Sequence, residues 1–260
     1  MSGLLLRVAV APLLGGPSLG AEQVSQLVLG EGAEVLERQG AMLRVRTLLD
    51  QYDGWLHAGY AHELPLADAV AWVAGAAWSE GALLEGPDGV AIRVPHRARL
   101  PLEGDDHVRL PNGQRATILS GAIRPWGEVM VSAQQEPPAD WAWREFAGTP
   151  YLWGGVSAAG IDCSGLVQTT FLARGVPLPR DARQQVALGQ VVELKERRAG
   201  DLLFFHGEGT ERITHVAILA GHETIVHSTI DTGQVTRESF ARGTRAEGLL
   251  GRLVAVRRLT

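Results

Sequence analysis

Residues 151–168 read Tyr-Leu-Trp-Gly-Gly-Val-Ser-Ala-Ala-Gly-Ile-Asp-Cys-Ser-Gly-Leu-Val-Gln, and they include Cys163, the only cysteine in a chain of 260 residues. A single thiol cannot form an intrachain disulfide, so Cys163 either packs in the core or takes part in chemistry. Packing is an ordinary role for a free cysteine, because it behaves as a small hydrophobic residue. The residues around Cys163 favour chemistry instead.

The sequence predicts that Cys163 lies in the first turn of a helix. Asp162 and Ser164 are residue types that cap helix N-termini. Apolar residues at helical spacing follow, and a glycine and a proline then end the pattern: Leu166, Val167, Phe171, Gly175 and Pro177. The positive end of a helix dipole favours a thiolate over a thiol, and the thiolate is the nucleophile. We therefore interpret Cys163 as a catalytic nucleophile.

A cysteine nucleophile needs a base, and the base needs an orienting group. Two runs rich in β-branched residues, 212–219 and 224–229, predict a β-hairpin that carries His215 and His227. If the loop is 220–222, the two histidines lie directly opposite each other on one face, where one imidazole can orient the other. A one-residue slip would separate them, so this register is an assumption. The two histidines are the candidates for the partners of the thiol.

The histidines have two other interpretations. Any single one of the eight is more simply a strand residue, but two beside apolar residues on one face are partly desolvated and usually have a task. A zinc site would draw on His206, His215, His222 and His227, yet their spacing matches no closed structural site and they fall on different faces. We expect His206 and His222 to be solvated loop residues, and we expect no metal and no cofactor.

Six blocks of the sequence, in the same order, resemble the NlpC/P60 cysteine peptidases. They are 151–155, 162–168, 179–181 with Gln184, 200–205, 215–218 and 226–228. The resemblance covers about residues 140–260 and implies a papain-like half-barrel, in which a helix with the cysteine packs on an antiparallel sheet with two histidines. It implies Cys163 as nucleophile, His215 as general base and then general acid, and His227 as orienting residue, in acyl transfer through a thioester.

The site needs groups that hold the oxyanion and the substrate. The Cys163 backbone N–H is a natural oxyanion donor, and the resemblance implies the Tyr151 hydroxyl as another. Trp153, Asp162 and Ser164 are further candidates beside the thiol. Alternatives stay open: Tyr151 and Trp153 as core aromatics, and Asp162 as a helix cap alone.

Asp181 is the candidate partner of a free substrate amine. The resembling subgroup uses the Arg-Asp pair after the cysteine helix in that way, and here that pair is Arg180 and Asp181. The subgroup usually has serine at the next position, whereas this chain has Ala182. Without that hydroxyl, the role implied by the resemblance is weakened at position 182 only.

Composition bounds the partners. With 45% apolar and 20% charged residues, the chain can bury one large core or several small ones, and we expect several domains. The net charge of −5 without a basic run argues against nucleic acid, and no apolar stretch reaches the ~20 residues that span a bilayer. Arg7 interrupts the first apolar run and Pro12 ends it, so we interpret this run as a strand rather than an export signal. We expect a cytoplasmic protein, although an exported protein trimmed of its leader would look the same.

Short apolar runs separated by Gly, Pro and Asp predict small all-β modules before the catalytic region, with 22–29 as the main helical stretch. Residues 1–66 resemble a bacterial SH3-like barrel, whose strands commonly carry a Gly-Trp pair like Gly54-Trp55. We assign 67–137, including the run 71–74, to a second such barrel on its length and β content.

Residues 134–138 are the predicted linker, and 138–260 form the catalytic domain. The expected fold class is α+β, a papain-like NlpC/P60 domain preceded by two small all-β SH3-like barrels.

This order of domains resembles the cytoplasmic dipeptidyl-peptidases that process cell-wall peptides. In that subgroup the first barrel closes one end of the cleft, so that only a peptide with a free N-terminal L-alanine fits. Tyr52 and Glu22 are the candidates from the barrel that would help to hold the ammonium. Their alternatives are a surface aromatic and a solvated charge near the start of a short helix.

The resemblance implies hydrolysis of the γ-D-glutamyl–diamino acid bond in murein-derived L-Ala-γ-D-Glu-diamino acid peptides, whereas the residues alone support only cysteine-dependent acyl transfer. An amidase or acyltransferase would use the same machinery. A wall-binding protein with an inert third domain is a different class, and the intact set of Cys163, His215 and His227 argues against it.

Overall fold

A computed structural model describes residues 1–259 of the chain, which divides into two compact units, residues 1–129 and the residues from 130 onward. Each unit contains two antiparallel sheets and its own hydrophobic core. Among the described residues, no helix has the length and apolar character needed to cross a membrane.

The first unit opens with a seven-stranded antiparallel sheet. Its strands are β1 (Ser2–Leu6), β2 (Val10–Leu14), β3 (Gln23–Val28), β4 (Gly32–Gln39), β5 (Met42–Thr47), β6 (Asp53–His57) and β7 (Ala61–Pro65). They pair in the order β3-β2-β6-β5-β4-β1-β7. Leu4, Leu13, Leu43 and Leu56 are fully buried at the centre of its core. The apolar run at the N-terminus, predicted to be one strand, is divided between β1 and β2.

Two details of this sheet correct the sequence analysis. The stretch 22–29, predicted to be helical, is mostly β3, because pairing with β2 satisfies its backbone and most of its residues are buried. Pro12 lies inside β2 and does not end it. A proline is tolerated there because β6 pairs with β2 only at Leu14, so much of that strand edge needs no N–H donor.

Gly54 of the Gly-Trp pair has a packing role in β6. A Cβ atom at this position would lie 2.4 Å from Cγ of Leu13. Any larger residue would therefore push Leu13 out of the core. The pair marks the point where β6 crosses closely over β2.

The rest of the first unit is only partly β. Helix α1 (Leu66–Gly75) is followed by four strands that pair in the order β10-β11-β8-β9, and α2 (Trp126–Gln134) then begins in the first unit and ends in the second. The strands are β8 (Ala77–Glu85), β9 (Ala91–Leu100), β10 (His107–Arg109) and β11 (Arg115–Arg124). The expectation of an all-β module over 67–137 is wrong at 71–74, which lies in α1, since the alanine-rich run favours a helix.

The second unit packs helices on a six-stranded antiparallel sheet. Before the sheet come α3 (Pro138–Phe146), β12 (Val156–Ser157), β13 (Gly160–Ile161), α4 (Cys163–Ala173) and α5 (Ala182–Gln185). The sheet and its last helix are β14 (Gln190–Val191), β15 (Leu202–His206), β16 (Ile213–Leu219), β17 (Thr224–Thr229), β18 (Gln234–Ser239), α6 (Glu247–Leu250) and β19 (Leu253–Arg258).

The strand order in this sheet is β14-β19-β15-β16-β17-β18, and α4 packs on β16 and β17. Every residue of α4 is buried, because the helix lies between the sheet and its neighbouring segments. This is the papain-like arrangement of a cysteine helix on an antiparallel sheet. Of the predicted linker, 134–138, only 135–137 lie between the helices, because Gln134 ends α2 and Pro138 begins α3.

Candidate active site

Cys163 is the first residue of α4, as predicted, and it is 7% exposed. Asp162 caps the helix, and its Oδ1 accepts the Gly165 N–H at 2.7 Å. A Cβ atom on Gly165 would lie 2.2 Å from the carbonyl oxygen of Gly155, so the first turn lies directly against the preceding glycine segment. The thiol lies 3.9 Å from the carbonyl oxygen of Thr214 on β16. The nucleophile is thus fixed where α4 meets the sheet.

A buried ion pair holds the residues on both sides of the thiol. Arg180, 1% exposed, donates to Asp162 Oδ2 at 2.6 Å and to Asp162 Oδ1 at 3.0 Å. It also donates to Ser164 Oγ at 2.8 Å and to the Gly155 carbonyl at 3.3 Å. Asp162 is therefore both helix cap and ion-pair partner. A contact of Asp162 or Ser164 with substrate stays a prediction.

His215 and His227 are hydrogen-bonded to each other, with Nε2 of His215 2.8 Å from Nδ1 of His227. Their strands pair at Ile218 with Val226 and at Leu219 with Ile225. This register differs by two residues from the one assumed from the sequence, so the loop is longer, at 220–223. A shift of two keeps both histidines on one face and makes them diagonal neighbours.

Glu238 continues this chain, and the sequence analysis missed it. Its Oε2 lies 2.7 Å from Nε2 of His227. Arg245 donates to both carboxylate oxygens of Glu238 and to Asp231 at 2.7 Å. Because His227 pairs with Thr236, two residues before Glu238, the carboxylate is a diagonal neighbour of the imidazole. The Asp-Thr-Gly turn signal ahead of β18 was the clue that could have predicted this pairing.

When both imidazoles are neutral, these contacts fix their tautomers. The Glu238 carboxylate only accepts, and its bonds to His227 and Arg245 lower its pKa to about 2. His227 therefore carries its proton on Nε2 and accepts through Nδ1. His215 must then donate from Nε2, which leaves the lone pair on Nδ1 to accept a further proton.

Burial keeps the thiol and the imidazole neutral in the resting site. It raises the pKa of Cys163 to about 12, and the Asp162 charge raises it further. The backbone N–H groups of Val216 and Ser164 and the charge of Arg180 lower it by less. Burial also lowers the pKa of His215 to about 3, and His227 is the next cause. The expectation that the helix start favours a thiolate is thus wrong here, because desolvation exceeds the effect of the helix end.

Cys163 and His215 line one pocket of about 180 Å³, together with Tyr151 and Thr214. Burial raises the pKa of Tyr151, and the neighbouring Cys163 and Asp162 raise it further, so its hydroxyl keeps its proton and can donate. Trp153 is 56% exposed, which rules out the alternative of a core aromatic at that position.

Asp181 is half-buried directly before α5, where Arg183 donates to it at 2.9 Å. Tyr52 and Glu22 belong to the first unit, whereas every other predicted site residue belongs to the second. Tyr52 packs half-buried against the core of its sheet. Glu22 is exposed just before β3, so the short helix expected at this position is not formed.

His206 corrects another expectation. It is the last residue of β15, is half-buried and lines the pocket of Cys163, so it is not a solvated loop residue. His222 is exposed in the loop 220–223, as predicted. Within residues 1–259, no group of three or more His, Cys, Asp or Glu side chains is arranged to hold a metal ion.

Two segments of the chain match known protein families. Residues 148–254 match the model of the NlpC/P60 family, and residues 13–59 match that of the bacterial dipeptidyl-peptidase SH3 domain. The chain therefore carries an NlpC/P60 domain, which belongs to a family of cysteine peptidases, together with an SH3-like domain.

Two curated relatives are named gamma-D-glutamyl-L-lysine dipeptidyl-peptidase. The one from Bacillus cereus is 34% identical over 149 residues, which are 53% of this chain and 43% of the relative. The one from Bacillus subtilis is 48% identical over 84 residues, 32% of this chain and 28% of the relative. The matches thus span less than half the length of these relatives.

One solved structure, of an NlpC/P60 family protein from Bacillus cereus, has the same fold. The TM-score is 0.82 at 23% identity, covering 98% of this chain and 99% of that one.

Proposed function

We propose that this protein hydrolyses the γ-D-glutamyl–diamino acid bond of cell-wall peptides that carry a free N-terminal L-alanine. The observation that carries the proposal is the hydrogen-bonded chain His215–His227–Glu238, which leads into the pocket that holds Cys163. The names of the curated relatives support this class of substrate. The proposal includes a cytoplasmic role in the recycling of such peptides.

Acylation begins when the Cys163 sulfur attacks the carbonyl carbon of the scissile amide. Because the resting thiol and imidazole are neutral, the thiol proton passes to Nδ1 of His215 as the C–S bond forms. The Cys163 backbone N–H and the Tyr151 hydroxyl donate to the oxyanion. The charge that develops on His215 is stabilised by His227 and, through it, by the Glu238 carboxylate.

The C–N bond then breaks as protonated His215 gives its proton to the leaving amine, and a thioester remains on Cys163. In the second half of the reaction, water attacks the thioester and gives a proton to His215. The sulfur leaves with that proton, and the dipeptide acid is released. Atoms and charges balance without any further group.

Recognition of the acyl part depends on Asp181 in this proposal. A substrate ammonium would replace Arg183, whose side chain is exposed and whose ion pair with Asp181 is easily given up. Tyr52 and Glu22 are proposed to help from residues 1–66, which would close the cleft, and residues 138–260 are proposed to catalyse. Trp153 and Ser164 are the other proposed contacts.

The test is incubation of the protein with L-Ala-γ-D-Glu-meso-diaminopimelate and with its N-acetylated form, followed by mass spectrometry. We expect L-Ala-γ-D-Glu only from the free peptide, and no product from Cys163→Ala. The exposed-site variant His222→Ala is the matched control and should behave like wild type.

Cleavage of both peptides would remove the amine requirement and keep the peptidase. Cleavage of neither would contradict the proposed substrate and leave another acyl compound, or a wall-binding role, to be tested.

A further inference from the structure

The pocket of Cys163 reaches past His215 to residues that the proposed chemistry does not use. Phe205 on β15 pairs on one side with His215 and on the other with Leu253 of β19. Arg252 directly precedes Leu253, and its carbonyl accepts the His206 N–H at 3.0 Å. The ends of three adjacent strands thus bring Arg252 and His206 into the lining of the same pocket as the thiol.

The charge of Arg252 is not balanced within this pocket. Asp231 also lines it, but Asp231 is bound by Arg245, which in turn is held by Glu238. Within residues 1–259, Arg252 forms no ion pair with a carboxylate. An arginine that faces a pocket without a partner is suited to bind a carboxylate, because its guanidinium donates two parallel hydrogen bonds.

Arg252 lies on the side of the leaving group. His215 has to protonate the leaving amine, so the residue that carries this amine must lie over His215 when the acyl carbon is bound to Cys163. The Arg252 charge is close enough to lower the pKa of His215. Asp181, the proposed partner of the amine at the acyl end, does not occur among the described residues that line this pocket.

We propose that Arg252 determines specificity by binding a carboxylate of the leaving diamino acid. The inference rests on the proposed function, because it needs a peptide bond placed at Cys163. Two carboxylates have this chemistry. One is the α-carboxylate of a diamino acid that ends the peptide, and the other is the side-chain carboxylate of a diaminopimelate residue, which lysine lacks.

The experiment measures kcat/KM for four peptides, L-Ala-γ-D-Glu-X, in which X is meso-diaminopimelate, its α-amide, L-lysine or L-lysine α-amide. Wild type is compared with Arg252→Gln, and Arg242→Gln is the matched control, since it removes an equal charge from an exposed residue outside the pocket lining. Ratios between peptides are used because an effect of Arg252 on the pKa of His215 is common to all four.

We expect wild type to prefer the peptide with the bound carboxylate by at least about tenfold, as for a hydrogen bond to a charged group. Arg252→Gln should bring this ratio close to one, and Arg242→Gln should leave it unchanged. If Arg252→Gln loses the preference for the acid over its α-amide, the bound group is the α-carboxylate. If it loses the preference for the diaminopimelate peptide over the lysine peptide, the bound group is the side-chain carboxylate.

If the ratios in Arg252→Gln equal those of wild type, the inference is wrong, but the proposed peptidase function is unaffected. A fifth peptide, with the α-carboxylate of D-glutamate amidated, adds a second decisive result. If only this carboxylate loses its effect in Arg252→Gln, Arg252 serves the acyl side and the inference is wrong. Arg252→Met, which keeps the aliphatic length, replaces Arg252→Gln if that variant does not fold. If wild type cleaves none of the peptides, the proposed function fails and this inference falls with it.

Discussion

Nε2 of His227 lies 2.7 Å from Oε2 of Glu238, and this contact determines which nitrogen of each imidazole carries a proton. The carboxylate holds the proton of His227 on Nε2, and His227 in turn holds that of His215 on Nε2. Glu238 thus orients the proposed base, His215, through His227 and without touching it. It is a positioning residue in the proposed reaction.

Replacing Glu238 by alanine should lower kcat by at least about tenfold, yet by less than the ~10⁴ seen when a group that directly orients a catalytic histidine is changed. KM should change little, because Glu238 does not contact substrate. Glu238→Gln keeps a carbonyl oxygen that accepts the His227 N–H bond and should recover most of the loss. Steady-state kinetics with the free tripeptide measure all three proteins.

The exposed residue Glu223 gives the matched control for this comparison. Glu223→Ala should retain wild-type kcat. A loss in Glu238→Ala that appears in KM alone, or that Glu238→Gln does not recover, would contradict a role through the histidines.

Alkylation of Cys163 should be slow near neutral pH and should rise with pH. The thiolate reacts with iodoacetamide, and burial raises the pKa of Cys163 to about 12, so little thiolate is present. A preformed thiolate–imidazolium pair would instead react quickly from mildly acidic pH upward. The rate, followed by mass spectrometry against pH, distinguishes the two states, and a plateau at acidic pH would contradict the neutral pair.

The free energy of unfolding should fall as the pH drops from 6.5 toward 3 because of His215. In the folded protein burial lowers the pKa of His215 to about 3 from 6.5, so in this window only the unfolded chain binds the proton. Stability from the neutral imidazole is thus present above 6.5 and lost as the pH falls. The slope from one such group is at most about 1.4 kcal/mol per pH unit.

His215→Leu should flatten this slope, and His222→Leu, at an exposed loop residue, should not. Urea unfolding at several pH values gives the difference between the variants. An equal slope in His215→Leu and wild type would show that the imidazole is protonated in the folded state.

Arg180→Met should destabilise the second unit by about 3–5 kcal/mol, since it leaves the buried Asp162 carboxylate without its partner. Arg183→Met, only three residues away, removes an exposed ion pair and should cost at most about 1 kcal/mol. Denaturant unfolding followed by tryptophan fluorescence compares the two. If both variants lose a similar free energy of unfolding, burial of the Arg180–Asp162 pair does not make its disruption more costly.

The helix start at Cys163 and the strands of the two histidines were predictable because their signals are local. The cap at Asp162, the apolar spacing of α4 and the β-branched runs each lie within a few residues. The two-residue error in the hairpin register did no harm, because side chains alternate with a period of two.

Glu238 and the charge state of Cys163 could not be predicted in this way. The Asp-Thr-Gly turn at 231–233 signals that β17 and β18 pair, but the register that sets Glu238 diagonal to His227 depends on the tertiary arrangement of the sheet. The pKa of Cys163 depends on how completely the fold removes water from the thiol, which outweighs the local effect of the helix end. The helix predicted for 22–29 was wrong for a related reason, since pairing with β2 and burial outweighed its helical pattern.

The ion pair of Arg180 with Asp162 has a mechanical consequence. Asp162 directly precedes the nucleophile, and Asp181 directly follows Arg180, so one buried link joins the two segments that carry Cys163 and Asp181. This link limits how far the two segments can move apart. If Asp181 binds the substrate ammonium as proposed, a peptide one residue longer or shorter would place the wrong bond at the thiol.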